Sequence, residues 1–201
     1  MKTAYFWLTP QGKQLAEQLQ AHFGGTVEPK ADFAEAVRRA FADCDALVFV
    51  MATGIVVRTI APLVQSKASD PAVLVLDQRG KHVISLLSGH LGGANAMAEQ
   101  AAAYLGGEAV ITTATDVEHV PAFDLFAKEN HLTIENLEEL KYISGALVAG
   151  EPVSLCTAFP VEKNAFPETV QIQSFSETPR HACACLLYTS QSPRDPKTSR
   201  M

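Results

Sequence analysis

The sequence predicts an α/β fold, a layered domain with a mostly parallel sheet and helices on both faces, followed by a smaller α/β central unit. Short apolar runs of strand length alternate with helix-length segments whose apolar residues recur every three or four positions. Some strand runs, such as residues 46–51, are apolar without alternation, which is typical of strands buried on both faces of a parallel sheet. After Pro121 the pattern changes and a second unit begins.

The elements of the first domain follow from the spacing of the apolar residues. The predicted strands are 4–8, a short run near Thr26, 46–51, 72–76, 82–87 and 109–113. Four helices are predicted between them. The first ends at Gly24, the second begins with a capping box of Asp32 and Glu35, and the third is shortened by Pro62. The fourth follows Gly93 and is expected to bury Met97, Ala101, Tyr104 and Leu105. The link between strands 72–76 and 82–87 is of hairpin length, so one antiparallel neighbour is expected in the otherwise parallel sheet.

Three regions are predicted along the chain. The α/β domain covers residues 1–120, and residues 121–176 form a central region that is expected to be incomplete on its own. In that region we predict helices at 123–131 and 137–148 and strands at 153–158 and 170–175. Residues 177–201 are polar, contain prolines and lack periodicity, which predicts disorder. Residues 186–201 also resemble a translated sequencing-adapter read, and we expect this tail to be non-native.

The composition excludes several classes of function. The net charge of −6 and the absence of a Lys/Arg cluster argue against a nucleic-acid surface. The apolar runs fall well short of the roughly 20 residues that span a membrane, and the apolar start of the chain is too short for a signal peptide. The four cysteines have neither zinc-site spacing nor a C-x-x-C pair, so we expect a reducing compartment, no disulfide framework and no metal site. We expect a cytoplasmic protein that binds neither nucleic acid nor a membrane.

The turn after strand 82–87 is the first candidate site. Gly89, Gly92 and Gly93 would let a ligand approach the backbone, and the first N–H groups of the next helix would bind an anion. His90 could act as general base or acid, or it could cap or pack the turn. Ser88 could be a nucleophile or a hydrogen-bond donor, although an N-cap is the more frequent use of serine there. Glycines kept for packing alone are the alternative for the whole turn.

The other strand ends support a binding face. Ligands of open α/β sheets bind beyond the carboxyl ends of the strands. Here four predicted strands are followed by glycines, hydroxyls or both, at residues 9–12, 52–54, 88–90 and 112–116. Ordinary loop and cap residues are the alternative explanation. Arg58 could hold a carboxylate or be a solvated arginine, and Asp116 could orient a histidine or water or cap the next segment. Dinucleotide, P-loop, hydrolase-elbow and zinc motifs do not occur.

Longer motifs carry a family resemblance. The runs G-I-V-V-R at 54–58, L-S-G-H-L-G-G-A-N at 87–95 and T-T-A-T-D at 112–116 resemble those of CbiG, the cobalt-precorrin-5A hydrolase family. The likeness in order and spacing covers about residues 46–116, and the segment to about residue 175 is similar to the family's central region. The resemblance implies an enzyme of anaerobic cobalamin biosynthesis. Such an enzyme opens the δ-lactone of a cobalt corrinoid and releases acetaldehyde to give cobalt-precorrin-5B.

Opening a lactone with water needs a base and hydrogen-bond donors to the developing oxyanion, and the roles of the candidate residues are inferred from that chemistry. We predict that His90 and Ser88 are catalytic, and that the substrate-binding residues are Thr53, Gly54, Arg58, Gly89, Gly92, Gly93, Asn95, Thr113, Thr115 and Asp116. No cofactor is expected, because the substrate carries the cobalt. Family members commonly continue into a further C-terminal domain, so a non-catalytic tetrapyrrole-binding fragment that needs another domain or partner is the alternative. A second copy of the chain and other enzymes of the pathway are candidate partners. A nucleotide-binding domain is a third hypothesis, which the missing phosphate motifs oppose.

Overall fold

The computed structural model describes residues 1–66, 69–130, 134, 139–157, 166–173 and 183–186. The chain divides into two compact units, Met1–Thr112 and Thr113–Met201. The predicted boundary at residue 120 lies shortly after this division.

The first unit alternates strands and helices around one sheet. Its elements are β1 (Thr3–Trp7), α1 (Pro10–Phe23), β2 (Thr26–Val27), α2 (Phe33–Asp43), β3 (Ala46–Val50), α3 (Thr53–Ile60), β4 (Ala72–Leu76), β5 (His82–Leu87), α4 (Ala94–Leu105) and β6 (Glu108–Val110). The six strands lie in the order β2-β1-β3-β4-β5-β6. Every neighbouring pair is parallel except β4 and β5. The predicted fold class, a mostly parallel sheet with one antiparallel neighbour, is confirmed.

The direction of β5 decides which loops can meet. In the β4–β5 hairpin Leu76 pairs with Val83, and Val73 pairs with Leu87. The end of β5 therefore lies beside the start of β4. The ends of β1, β3 and β4 share one edge of the sheet, which we call the carboxyl edge, because Trp7 is level with Val50 and Val50 with Leu76. Strand β5 ends at the opposite edge, which we call the amino edge.

Each face of the sheet is covered by its own apolar core. Alternate residues of a strand point to opposite faces, so neighbouring residues enter different cores. One core contains Tyr5, Val48, Val50, Leu74 and Leu76 with residues of α1 and α4. The other contains Phe6, Leu47, Phe49, Val73 and Val75 with residues of α2 and α3. Helices on both faces explain why the central strands are apolar throughout.

Two details of the helices differ from the prediction. Asp32 has a left-handed backbone, with φ of 54°, and its side chain makes no cap hydrogen bond, so the predicted capping box does not form. Glu35 pairs with Arg38 instead, at 2.9 Å. In α4 the alanines at 94, 98, 101 and 102 face the sheet, because their small side chains allow close approach, and Tyr104 is 38 % exposed rather than buried. Its ring stacks on His22 at 3.9 Å.

The second unit is a smaller α/β assembly. Its elements are α5 (Ala114–Val117), α6 (Phe123–Glu129), α7 (Leu140–Val148), β7 (Val153–Thr157), β8 (Val170–Gln173) and β9 (Cys183–Leu186). The strands lie in the order β8-β7-β9, and both pairs are parallel. The predicted helices and strands of the central region are all found among the described residues, at the bounds given above. Buried residues of α6, α7, β7 and β8 form its core: Phe123, Leu140, Ile143, Leu147, Val153, Leu155 and Val170.

Strand β9 corrects the prediction of a continuous disordered tail. Residues 183–186 alternate cysteine with alanine and leucine, a short apolar run that pairs with β7 from Ser154 to Thr157. The rest of the predicted tail, 177–182 and 187–201, lies outside the described residues. None of the helices in the described ranges has both the length and the apolar character needed to cross a membrane.

Candidate functional site

Residues 88–93 form a loop at the amino edge, between β5 and α4. Ser88 begins it with a left-handed backbone, at φ of 58°. The Ser88 hydroxyl donates a hydrogen bond to the Asp70 carbonyl at 2.9 Å, which ties the loop to the residues just before β4. Gly93 holds the N-cap position of α4. The N-cap alternative for Ser88 is therefore wrong, because the loop is longer than a direct strand-to-helix turn.

The loop uses its own carbonyls to bind the first N–H groups of α4. The Gly93 N–H donates to the His90 carbonyl at 3.0 Å, the Ala94 N–H to Ser88 at 3.2 Å, and the Asn95 N–H to Gly89 at 3.0 Å. These N–H groups have no acceptor within the helix, as is usual for the start of a helix, but carbonyls of the 88–93 loop take that place. An anion at this helix start would have to compete with internal hydrogen bonds.

Two glycines of the 88–93 loop are required by its internal packing. A Cβ on Gly89 would lie 2.6 Å from the side-chain oxygen of Asn95. A Cβ on Gly92 would come closer to the Ser88 side chain than real Cβ atoms do. Asn95 is buried, and its Oδ1 accepts a hydrogen bond of 2.6 Å from the Ser85 hydroxyl. These contacts favour the packing interpretation for Gly89 and Gly92.

The other predicted site residues lie elsewhere. Thr53, Gly54 and Arg58 lie on α3, whose start is at the carboxyl edge, and Arg58 Nη1 donates to the Gly54 carbonyl at 3.0 Å. Thr113, at the N-cap position of α5, and Thr115 and Asp116 within that helix all belong to the second unit. The single face expected from the four strand ends does not form within the first unit, because β5 runs opposite to β1, β3 and β4.

The carboxyl edge carries a cleft of about 650 Å³. It lies at the ends of β1, β3 and β4, next to the turn of the β4–β5 hairpin. Its wall is mostly aliphatic, and a smaller set of hydroxyl, amide, carboxylate and imidazole groups stands among the apolar residues. The lining residues are Leu8, Thr9, Val50, Met51, Ala52, Thr53, Ile55, Val75, Leu76, Asp77, Gln78, His82, Ile84 and Val110. An apolar cleft with a few polar groups is the usual form of a small-molecule site.

Asp77 and His82 face each other across the hairpin turn. The Asp77 carboxylate accepts hydrogen bonds from the backbone N–H of Arg79 at 2.8 Å and of His82 at 2.7 Å. His82 Nδ1 lies 3.5 Å from Asp77 Oδ2. Partial burial of the carboxylate raises its pKa, but the backbone N–H groups of His82, Arg79 and Lys81, together with the His82 charge, outweigh that effect. The pKa of Asp77 is therefore lowered, and its ionised form is favoured.

Because the pKa of Asp77 is lowered, the stability of the first unit should change with pH in the acid range. A carboxylate whose pKa is lower in the folded state stabilises that state above its ordinary pKa of 3.8, and this contribution is lost as the pH falls through the lowered value. We expect the free energy of unfolding to be higher for wild type than for Asp77→Asn at about pH 5. This difference should become smaller as the pH is lowered toward 2. The gap should be small, because the Asp77 side chain is 40 % exposed and screened by water.

Urea unfolding of both proteins across this acid range checks the expectation. A gap that stays constant down to pH 2 would mean that the loss in the variant comes from geometry rather than from the carboxylate charge.

The polar lining residues Asp77, Gln78 and His82 are not among the residues that the sequence predicts for the site, whereas Thr9 belongs to the strand end at 9–12 that was expected to face a ligand. The sequence of the link 77–81 indicates only a turn. The signal was nevertheless present, because an antiparallel pair that ends at Leu76 and Val83 places residues 77 and 82 on either side of the turn. Thr9 adds a second link across the cleft: its hydroxyl caps α1 by accepting the Gly12 N–H at 3.0 Å and lies 3.3 Å from Gln78 Oε1.

Within the described ranges, no group of three or more His, Cys, Asp or Glu side chains is placed to hold a metal ion.

Comparison with known proteins gives consistent results for both units. Residues 35–116 match the family model described as cobalamin synthesis G N-terminal, and residues 121–201 match the cobalamin biosynthesis central region. The chain is 44 % identical over 165 residues to the cobalt-precorrin-5A hydrolase of Salmonella typhimurium, covering 76 % of this chain and 47 % of that protein. It is 42 % identical over 109 residues to the enzyme of the same name from Priestia megaterium, covering 54 % of this chain and 29 % of that one.

The fold has a solved relative as well. A crystal structure of a cobalamin biosynthesis protein G homolog from Sulfolobus solfataricus superposes with a TM-score of 0.54 at 25 % identity, covering 92 % of this chain and 59 % of that chain. The chain spans about half or less of the length of the curated relatives above. The two family models together cover most of its residues, in the order that the sequence motifs predicted. The chain belongs to the CbiG family of cobalamin biosynthesis proteins and carries that family's N-terminal and central regions.

Proposed function

We propose that this protein is a cobalt-precorrin-5A hydrolase, which opens the δ-lactone of a cobalt corrinoid and releases acetaldehyde to give cobalt-precorrin-5B. The observation that carries the proposal is the 44 % identity to the Salmonella enzyme of that name over 76 % of the chain. The substrate brings its own cobalt, so the proposal includes no cofactor held by the protein. It also places the reaction in the cytoplasm.

The cleft at the carboxyl edge suits a corrinoid in two respects. Its aliphatic wall offers an apolar surface to the macrocycle, and Thr9, Thr53 and Gln78 offer hydrogen bonds to peripheral carboxylates or to the lactone. Arg58 lies one turn along α3 from Gly54 and is the nearby cation proposed to hold a substrate carboxylate, since its guanidinium forms two parallel hydrogen bonds with such a group.

The 88–93 loop is a second candidate for contact with the substrate. His90 and Ser88 stay predicted catalytic residues, and Gly89, Gly92, Gly93 and Asn95 stay predicted binding residues, as do Thr113, Thr115 and Asp116 of the second unit. The cleft has the stronger support for two reasons. The N–H groups at the start of α4 already donate to carbonyls of the loop, and the side chains of Asn95 and Ser88 occupy the space beside Gly89 and Gly92.

Acetaldehyde release tests the proposal directly. The purified chain is incubated without oxygen with cobalt-precorrin-5A, and acetaldehyde is trapped as a hydrazone while the corrinoid product is followed by mass spectrometry. We expect one acetaldehyde for each cobalt-precorrin-5B formed, at many turnovers per chain. The Salmonella enzyme serves as positive control, and the heat-denatured chain as negative control.

The same assay separates the alternative function. Corrinoid that stays bound to the chain without acetaldehyde release would show a tetrapyrrole-binding fragment that needs another domain or partner for chemistry. If the chain neither binds the corrinoid nor releases acetaldehyde, both functions are rejected for it.

A further inference from the structure

We propose that His82 is the general base of the lactone hydrolysis and that Asp77 is its positioning residue. The inference rests on the proposed function and adds the group that activates water. The juxtaposition that carries it is an imidazole 3.5 Å from a carboxylate in the wall of the 650 Å³ cleft. Neither Asp77 nor His82 belongs to the motifs at 54–58, 87–95 and 112–116.

Backbone N–H groups of the hairpin hold the Asp77 carboxylate in place. Both carboxylate oxygens accept backbone N–H groups of the turn, from Arg79 and from His82 itself. These bonds hold the carboxylate in place while Oδ2 faces the His82 ring. A carboxylate in this position favours the tautomer with hydrogen on Nδ1, so Nε2 keeps its lone pair and can accept a proton from water.

The surroundings of His82 suit a base that works on water. The imidazole side chain is 46 % exposed, so water reaches it. Ile84 and Val110 line the same cleft and would lie against the apolar face of the macrocycle, while the side-chain amide N–H groups of Gln78 can donate hydrogen bonds. Donors of this kind stabilise the oxyanion that forms when a carbonyl is attacked.

The proposed reaction balances with one water and one aldehyde. Nε2 takes a proton from water as the water oxygen bonds to the lactone carbonyl carbon, giving a tetrahedral oxyanion and an imidazolium. The carbonyl re-forms as the ring C–O bond breaks, and the leaving alkoxide takes the proton from the imidazolium. The resulting alcohol then loses its proton to His82, its C–C bond to the macrocycle breaks, and acetaldehyde leaves. The electron pair stays on the macrocycle carbon, which receives the proton.

Variants at the pair test these roles. General acid–base groups contribute about 10²- to 10⁴-fold, so His82→Ala and His82→Gln are expected to lower kcat for acetaldehyde release by at least about 10²-fold with little change in KM. Added imidazole should restore part of the rate in His82→Ala, because the position is open to solvent. Asp77→Asn should lower kcat less, and imidazole should not restore it. His22→Ala, at the far end of α1, is the matched control and should retain wild-type kcat.

A measurement on the unliganded protein tests the pair without the substrate. Nitrogen-15 NMR of the histidine rings at neutral pH should show His82 in the Nδ1–H tautomer in wild type and not in Asp77→Asn. Far-UV circular dichroism and urea unfolding show that each variant is folded.

The outcomes separate the two proposals. If the wild-type protein releases no acetaldehyde, the proposed function is rejected. The tautomer of His82 still tests the positioning of His82 by Asp77 in that case. Active wild type with undiminished kcat in both His82 variants would reject His82 as the base. An Nε2–H tautomer of His82 in wild type would reject the role of Asp77.

Discussion

Phe49→Ala is expected to lower the free energy of unfolding of the first unit by about 3–5 kcal/mol, the usual range for a fully buried phenylalanine. Phe49 is the fourth of the five residues of β3 and has no exposed surface. Its ring stacks on Phe6, with centroids 4.9 Å apart. Truncation therefore removes both the buried apolar surface and the ring contact, and it leaves a cavity beneath α2 and α3 that close-packed neighbours cannot fill completely.

Urea unfolding followed by tryptophan fluorescence measures this loss. Trp7 is the single tryptophan of the chain and ends β1, so its emission reports on the first unit. Phe23→Ala is the matched control, because Phe23 is 38 % exposed at the end of α1 and should cost about 1 kcal/mol or less. Equal losses in the two variants would contradict the core position of Phe49. A loss of 3–5 kcal/mol would be a large share of the roughly 5–15 kcal/mol typical of natural domains.

The sheet could be predicted because its strands carry a strong and unambiguous signal. Strands β4 and β5 begin and end where their apolar runs do, at residues 72–76 and 82–87. Strand β4 is buried throughout, as its non-alternating sequence indicates. The short β2 and the early end of α3 before Pro62 also follow from the local sequence.

The buried face of α4 could not be predicted in the same way. Most residues of this helix are apolar, so periodicity alone does not identify one face. The structure selects Ala94, Ala98, Ala101 and Ala102, whose small side chains let the helix lie close to the sheet. Tyr104 is left at the surface, where it contacts His22. Side-chain size, rather than hydrophobicity, decides which face packs.

The site was harder to predict than the fold. The length of the link at 77–81 indicates the hairpin, but the loops that the hairpin separates follow only from the sheet: reversing β5 moves residues 88–93 to the amino edge, away from Thr53. The contact between Asp77 and His82 depends on the register of the turn and on two side-chain conformations, which composition does not encode. Residue types indicate which groups can react, while strand direction decides which of them meet.

Ala52→Trp is expected to reduce kcat/KM for acetaldehyde release by at least about 10²-fold, the size of effect that misplacing a substrate by about 1 Å can have. Ala52 lines the cleft just before α3 and is exposed to solvent. An indole there would occupy space that the macrocycle needs while burying little in the core, so the free energy of unfolding should stay within about 0.5 kcal/mol of wild type.

Ala96→Trp is the matched variant at the other edge. Ala96 is also an exposed alanine near the start of a helix, but it follows the 88–93 loop. Steady-state kinetics of both variants compares the two candidate sites with the same added side chain. If the cleft binds the substrate, Ala52→Trp is impaired and Ala96→Trp keeps near wild-type kcat/KM. The reverse result would place the reaction at His90 and Ser88, and equal impairment would require a substrate that reaches both edges of the sheet. The direction of β5 separates these edges, so a pair of exposed alanines is enough to decide between them.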